Sequence, residues 1–318
     1  MAPPVIDPEI ATFIDAIAAG WANYPPFETM PIEEARSVAE QIRAPWRAEG
    51  PIMAETSEHQ IPTSTGSLRV RLYNPGLATP APALIYLHGG GFILFSIDTH
   101  DRLMREYAAR GQFLVLGVDY PLSPEARYPK ALDQIVELVE WLKANGAERL
   151  GVDAERLAIG GDSAGGNLSV ATALRLRDAG KSGMIRGLLL NYGAFSVDCS
   201  DEAEARFGGP GAVLQRAEMD HYYASYLGEA IAAPEPYAAP MLADLHDLPP
   251  AFLAIPECDL LSEQSHEMTD RLKEAGVEAD FVVYPRATHS FLEAMSVSEV
   301  ARQAIRDGAD WVRTILAR

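Results

Sequence analysis

An α/β architecture, with a mostly parallel central sheet and helices on both faces, is the fold class this sequence predicts. Three observations carry the prediction. Short apolar runs alternate with helical stretches through most of the chain, the mark of strand–helix–strand units. Several runs are apolar throughout rather than alternating, as strands buried on two faces are. The chain has 318 residues, 48% hydrophobic and 22% charged, enough to bury a sizeable core.

The elements follow in order. Asp7 and Pro8 suit the cap and first turn of a helix, and Ile10, Phe13, Ile14 and Ile17 recur at helical spacing until Gly20. Pro31 opens a second helix carrying Ile32, Val38 and Ile42. The apolar faces of both helices lack a local partner and must lie on something else. Thr63-Ser64-Thr65-Gly66 reads as a turn between two short strands, with Leu68, Val70 and Leu72 alternating on the second. Strands are expected at 83–87, 113–119, 156–160, 186–191, 251–256 and 279–284. The clearest helix is 130–144, where Leu132, Ile135, Val136, Val139 and Leu142 form one stripe. Ser296 and Glu299 suggest a capping box for the last helix. Region 194–245 breaks the alternation with Gly208-Gly209-Pro210-Gly211, Pro234, Pro236 and Pro240 around a helical piece at 212–227. We read it as an insertion within a single domain, 1–318, forming a cap over the strand ends with about residues 1–50.

Composition excludes several function classes. A formal charge of −19 repels phosphate backbones and anionic lipid, so nucleic acid and membrane surfaces are not expected partners. Two cysteines, Cys199 and Cys258, give no disulfide framework and fit a cytoplasmic location. The N-terminus lacks the basic and apolar regions of a signal peptide, and no apolar run is long enough to span a bilayer. No His-Glu-x-x-His occurs and the histidines are scattered, so a metal is not expected. A homo-oligomer is compatible with the sequence, which does not fix the oligomeric state.

The chemistry is concentrated in Leu157–Gly166, where an apolar run ends in Gly161-Asp162-Ser163-Ala164-Gly165 and a helical pattern begins at once. Gly-x-Ser-x-Gly between a strand and a helix holds one serine on a sharp, strained turn. By chance the pattern alone is common; the strand before and the helix after make it specific. A phosphate cradle is the competing reading. Gly160 and Gly165 have the Walker spacing, but Gly166 and Asn167 stand where Lys and Ser or Thr belong.

A serine hydroxyl needs a base, and the base an orienting carboxylate. In this arrangement the order along the chain is Ser, then Asp or Glu, then His. His221, His246, His266 and His289 follow Ser163. His289 falls just after the strand at 279–284, where such sites are built, while His221 and His246 fall in the insertion and His266 in a helix. Asp259 follows the strand 251–256 and is the expected acid, with Glu257 as competitor and Glu263 weaker because it belongs to the next helix. His88-Gly89-Gly90-Gly91 follows the strand 83–87, so its backbone N–H groups, with that of Ala164, suit an oxyanion hole. A plain flexible turn is the bland reading of that glycine run. Phe92, Tyr192, Phe195 and Phe291 are candidates for an acyl pocket, against the simpler reading that they are core.

With these residues in place the chain resembles the hormone-sensitive-lipase-like (family IV) α/β-hydrolases, and among them the bacterial acetyl esterases. The resemblance rests on His88-Gly89-Gly90-Gly91-Phe92, Asp98-Thr99-His100-Asp101-Arg102, the run Asp119–Pro129, Gly161–Gly166, Asp259 and His289, and covers the chain from about residue 60. It implies an α/β-hydrolase fold with a helical cap, a triad of Ser163, Asp259 and His289, and cofactor-free hydrolysis of a small-molecule ester with a short (acetyl to butyryl) acyl chain. It also implies that Gly90 and Gly91 donate with Ala164, although the residues leave open which two of Gly89, Gly90 and Gly91 do so. Three positions depart from the family: Leu260 follows the acid where Pro is usual, and Ser290 and Arg286 stand where Gly is common. Two other readings stay open: a binding or regulatory protein on the same scaffold, and a serine hydrolase acting on amides or lactones.

Overall fold

The computed structural model describes residues 4–209 and 211–318; the first three residues and Pro210 of the glycine-rich run lie outside the described residues. The chain opens with helices α1 (Pro8–Trp21) and α2 (Ile32–Arg47), linked through a 3-10 turn at Phe27–Thr29. There follow β1 (Glu55–Thr63), β2 (Gly66–Asn74), β3 (Ala81–Leu87), α3 (Asp101–Gly111), β4 (Leu114–Asp119), α4 (Lys130–Leu150), β5 (Val152–Asp162), α5 (Ala164–Asp178) and β6 (Leu188–Asn191). The insertion carries α6 (Asp201–Phe207) and α7 (Arg216–Leu227), after which come β7 (Ala251–Pro256), α8 (Ser262–Glu274), β8 (Ala279–Tyr284) and α9 (Glu299–Leu316).

The strands form one sheet in the order β1-β2-β4-β3-β5-β6-β7-β8. β2 pairs antiparallel with β1 and β4, and every pair from β4 to β8 is parallel. After β3 the chain steps to one side for β4 and then crosses to the other side for β5. That reversal opens a crevice at the C-terminal ends of β3 and β5, where ligands bind in open α/β sheets. Alternate side chains of β3 serve opposite faces. Ala83, Ile85 and Leu87 join the core shared with α4, α5 and α8, while Leu84 and Tyr86 join the core beneath α3 and α9. Every residue of β6 and β7 is buried, which explains their unbroken apolar sequences.

Several element boundaries differ from the sequence reading. β1 and β2 are nine residues each rather than short. The helix expected at 130–144 runs on to Leu150, and the helical piece at 212–227 begins at Arg216, with α6 as an additional short helix before it. The capping box of the last helix is corrected: Phe291–Ser296 form a 3-10 turn, and Ser298 caps α9 by accepting from Ala301 N–H at 3.3 Å. The 3-10 turn winds the backbone tighter than an α-helix, so regular spacing starts two residues later.

The N-terminal helices lie on the body of the protein. Asp7 caps α1, accepting from Glu9 N–H at 3.0 Å, as expected. α2 is tied down by a buried ion pair from Arg43 to Glu293 at 2.7 Å and by Arg36 to Glu125 at 2.8 Å. The Arg43 pair is the consequential one, because losing either partner would leave an uncompensated buried charge. Among the described residues no helix is long and apolar enough to cross a membrane. Cys199 and Cys258 are both free thiols.

Candidate active site

β5 ends at Asp162, α5 begins at Ala164, and Ser163 between them has φ 53° and ψ −115°. That conformation is costly for a residue with a Cβ and persists only where its surroundings enforce it. Ser163 N–H donates to Asn191 carbonyl at 3.0 Å, and Ala194 N–H donates to Ser163 carbonyl at 3.1 Å. Gly161 and Gly165 are required by the close passage of β3: a Cβ on either would run into the Leu87 carbonyl oxygen.

The loops after β7 and β8 bring two further groups to this turn. His289 Nε2 lies 3.0 Å from Ser163 Oγ, and His289 Nδ1 lies 2.9 Å from Asp259 Oδ2. Leu261 N–H donates to the other Asp259 oxygen at 3.1 Å, which fixes the carboxylate's orientation. All three side chains are buried. Burial works against a charge on His289, but the Asp259 carboxylate prevails and raises its pKa above the ordinary 6.5. The remaining candidates lie elsewhere. Glu257 is exposed and accepts from Arg286 N–H at 2.8 Å, and Glu263 accepts from the Ser200 hydroxyl. His221 sits edge-on to Phe27, His246 pairs with Asp244, and His266 is an exposed residue of α8.

A pH dependence follows. Only neutral His289 can take a proton from Ser163, and its pKa is raised, so the base is lost as pH falls through that raised value. The acid limb of kcat/KM is therefore expected to centre above the ordinary 6.5. A pH–rate profile measures this; a limb centred well below about 6 would contradict the assignment of the base.

The glycine run turns above β3. Gly90 and Gly91 have positive φ, 110° and 59°, and both line the cavity that contains Ser163. A Cβ on Gly89 would instead run into the Asp162 carboxylate. Among the described residues the N–H groups of Gly90, Gly91 and Ala164 donate to no protein acceptor. A Cβ on Gly91 would clash with the face of the Tyr222 ring, so Gly91→Ala must displace either the loop or α7. Its kcat is expected to fall about 10²- to 10³-fold, as when one oxyanion donor is lost. Undiminished kcat in a folded Gly91→Ala protein would remove this loop from the chemistry.

One more buried carboxylate lies in the same turn. Asp162, beside Ser163, accepts from Tyr86 hydroxyl at 2.9 Å and lies 3.3 Å from His100 Nε2. Burial alone would push its carboxyl up, but His100 and Tyr86 hold it below the usual range, while Asp162 in turn raises the His100 pKa. A bare negative charge there would oppose an oxyanion forming nearby, and the His100 partner offsets it. His88 differs: burial, with His100 close by, takes its pKa down to about 3, and it stays neutral.

The cavity above Ser163 has a volume of about 520 Å³ and is lined by α1, the Phe27 turn, the glycine loop and α7. The four aromatics proposed for an acyl pocket do not line it. Phe92, Tyr192, Phe195 and Phe291 are at most 2% exposed and belong to the core. The lining instead comes from Phe13, Ile14, Ile17, Trp21, Phe95 and Tyr222, among others. Two departures from the family gain a physical meaning. Ser290 and Arg286 both adopt the left-handed conformation, with φ 59° and 60°, that makes glycine common at those positions. Arg286 uses its side chain to bind the Val5 and Ile6 carbonyls at 3.1 and 2.8 Å, anchoring the N-terminal segment.

Comparison with known proteins bears on the fold and the family. The family model described as the alpha/beta hydrolase fold matches residues 84–293. A hyperthermophilic esterase from the archaeon Pyrobaculum calidifontis is 30% identical, with a TM-score of 0.90 covering 99% of this chain and 100% of that one. A thermophilic carboxylesterase cloned from a metagenomic library is 31% identical, with a TM-score of 0.86 over 90% of this chain and 98% of its own. A thermostable esterase from Pseudomonas putida is 27% identical, with a TM-score of 0.91 over 99% of both chains.

Proposed function

Because the chain belongs to the α/β-hydrolase family, in its hormone-sensitive-lipase-like group, we propose that it is a serine carboxylesterase that cleaves short-chain acyl esters, acetyl to butyryl, through an acyl-enzyme intermediate. The observation that supports this most is the buried hydrogen-bonded row from Asp259 through His289 to Ser163.

In this reading Ser163 Oγ attacks the ester carbonyl carbon while His289 Nε2 takes its proton. Asp259 holds the Nδ1 proton and stabilises the imidazolium. The carbonyl oxygen, now anionic, accepts from the N–H groups of Gly90, Gly91 and Ala164, assisted by the N-terminal end of α5. Collapse of the tetrahedral intermediate expels the alcohol, which takes the proton from His289. Water then repeats the sequence on the acyl-serine, with His289 again as base, releasing the carboxylic acid. The N-terminal helices and the α6–α7 segment act as a cap that limits water in the cavity and shapes the space for the acyl chain.

Rates on nitrophenyl esters of increasing acyl length test the proposal. The expected result is a kcat/KM maximum between acetyl and butyryl, with a fall of about ten-fold or more by octanoyl. A maximum at long chains would refute the short-chain reading, and turnover of amides or lactones without turnover of any ester would refute the carboxylesterase reading.

A further inference from the structure

Resting on the esterase reading, we infer that the cavity selects esters bearing a second, uncharged oxygen acceptor, and that Arg43 binds that oxygen.

The observation behind this is a set of unused donors. Arg43 lines the cavity that holds Ser163, and its side chain is only 8% exposed. A guanidinium carries five N–H donors. The Nε–H donates to Glu293 Oε2 at 2.7 Å. Among the described residues the four N–H groups on Nη1 and Nη2 have no protein acceptor, yet neither nitrogen is sealed from open space. The group is also held in place, because it pairs with Glu293 and lies over the rings of Phe13 and Phe95 at 5.4 and 4.9 Å. A buried donor left unpaired when a ligand displaces water is costly, so an apolar tail packed against Arg43 is penalised.

Two tethers put this fork close to the reacting groups. A Cβ on Gly90 would come 2.8 Å from Phe95 Cδ2, so the Phe95 ring packs on the glycine loop, and Arg43 lies against that ring. On the other side, Glu293 N–H donates to Ser290 carbonyl at 3.0 Å in the 3-10 turn that follows His289. Four residues of such a turn advance about 8 Å. A substituent a few bonds from the ester carbonyl therefore meets the fork.

Charge decides what kind of acceptor fits. Arg43 is already balanced by Glu293. Among the described residues it is the only lysine or arginine on the cavity wall, which also carries Glu28, Asp162 and Glu218. A carboxylate brought to Arg43 would add a buried negative charge with no cation left to offset it. A neutral ether, carbonyl or second ester oxygen accepts from the same N–H groups without that cost. The favoured substrates are thus esters of oxygenated acids or alcohols, partly acylated polyols among them.

The oxygen can be carried on either arm of the ester, and the test covers both. Ethyl 3-methoxypropanoate is compared with ethyl pentanoate, and 2-methoxyethyl acetate with butyl acetate; each pair differs by one oxygen in place of a methylene. Rates are divided by those of alkaline hydrolysis to remove intrinsic reactivity. The expected corrected kcat/KM ratio is about ten-fold or more in favour of the oxygen in at least one pair. Monoethyl succinate, with a carboxylate at the same end, should be cleaved about ten-fold or more slower than ethyl pentanoate. In Arg43→Met combined with Glu293→Met, which leaves no lone buried charge, the oxygen preference should vanish. Arg43→Lys keeps the charge but not the fork, and should reduce the preference about three-fold or more. Corrected ratios within two-fold of one for both pairs in the unaltered protein overturn the inference whether or not the variants fold. So does a preference that survives in the folded double variant, or faster cleavage of monoethyl succinate than of ethyl pentanoate. If none of these esters is hydrolysed, it is the esterase reading that falls, and the inference falls with it.

Discussion

Ser163→Ala is expected to lower kcat on a short-chain ester about 10⁴- to 10⁶-fold, the range for removal of the nucleophile of such a triad. The size of the effect comes from what remains. Asp259 and His289 still face the cavity, but no oxygen at position 163 lies 3.0 Å from His289 Nε2 to be activated. The oxyanion donors can then only polarise the ester for direct attack by water. Folding should be little altered. The strained φ of 53° is imposed by backbone bonds to Asn191 and Ala194, which alanine retains. Kinetics alongside circular dichroism measure both. A folded Ser163→Ala protein with more than about a hundredth of the original rate would exclude Ser163 as nucleophile.

Asp259→Asn is expected to cost about 10⁴-fold in kcat, for a reason of proton placement rather than shape. Leu261 N–H donates to Asp259 Oδ1 and will hold the carbonyl oxygen of an asparagine in the same place. The asparagine NH₂ then faces His289 Nδ1, where the carboxylate stood at 2.9 Å. Two donors cannot meet, so the imidazole shifts its proton to Nε2 and loses the lone pair that must accept from Ser163. Removing the carboxylate also removes the main influence that raises the His289 pKa, so the acid limb of any residual activity moves to lower pH. Glu257→Gln, at an exposed carboxylate bonded to Arg286 N–H, should leave kcat within a few-fold. If the two substitutions had equal effects, Asp259 would not be the orienting acid.

The residues that read clearly from sequence are those whose neighbours along the chain already enforce their environment. β6 and β7 are buried on both faces, so an unbroken apolar run announces them. β1 is an edge strand with a single buried residue, Ile61, and its polar sequence gave little length to read. α6 buries only Ala203 and so shows no apolar stripe. The glycine–serine–glycine turn was legible because one backbone conformation imposes both glycines. Asp259 and His289 were legible because sites of this kind sit after strands, and their approach to Ser163 follows from the parallel order of β5 to β8. The Asp162–His100–Tyr86 cluster was not, since its members come from three elements and meet only once the sheet is closed. The cavity lining shows the same limit. The stripe Phe13, Ile14 and Ile17 on α1 required a partner, but part of that partner is an open cavity rather than a packed core. Periodicity cannot tell those two apart.

The most direct measurement is covalent labelling with a fluorophosphonate, followed by mass mapping of the digested protein. We expect one adduct per chain, on the peptide that contains Ser163, with esterase activity lost in parallel and labelling abolished in Ser163→Ala. An adduct on any other residue, or an active enzyme that is left unlabelled, would contradict the account.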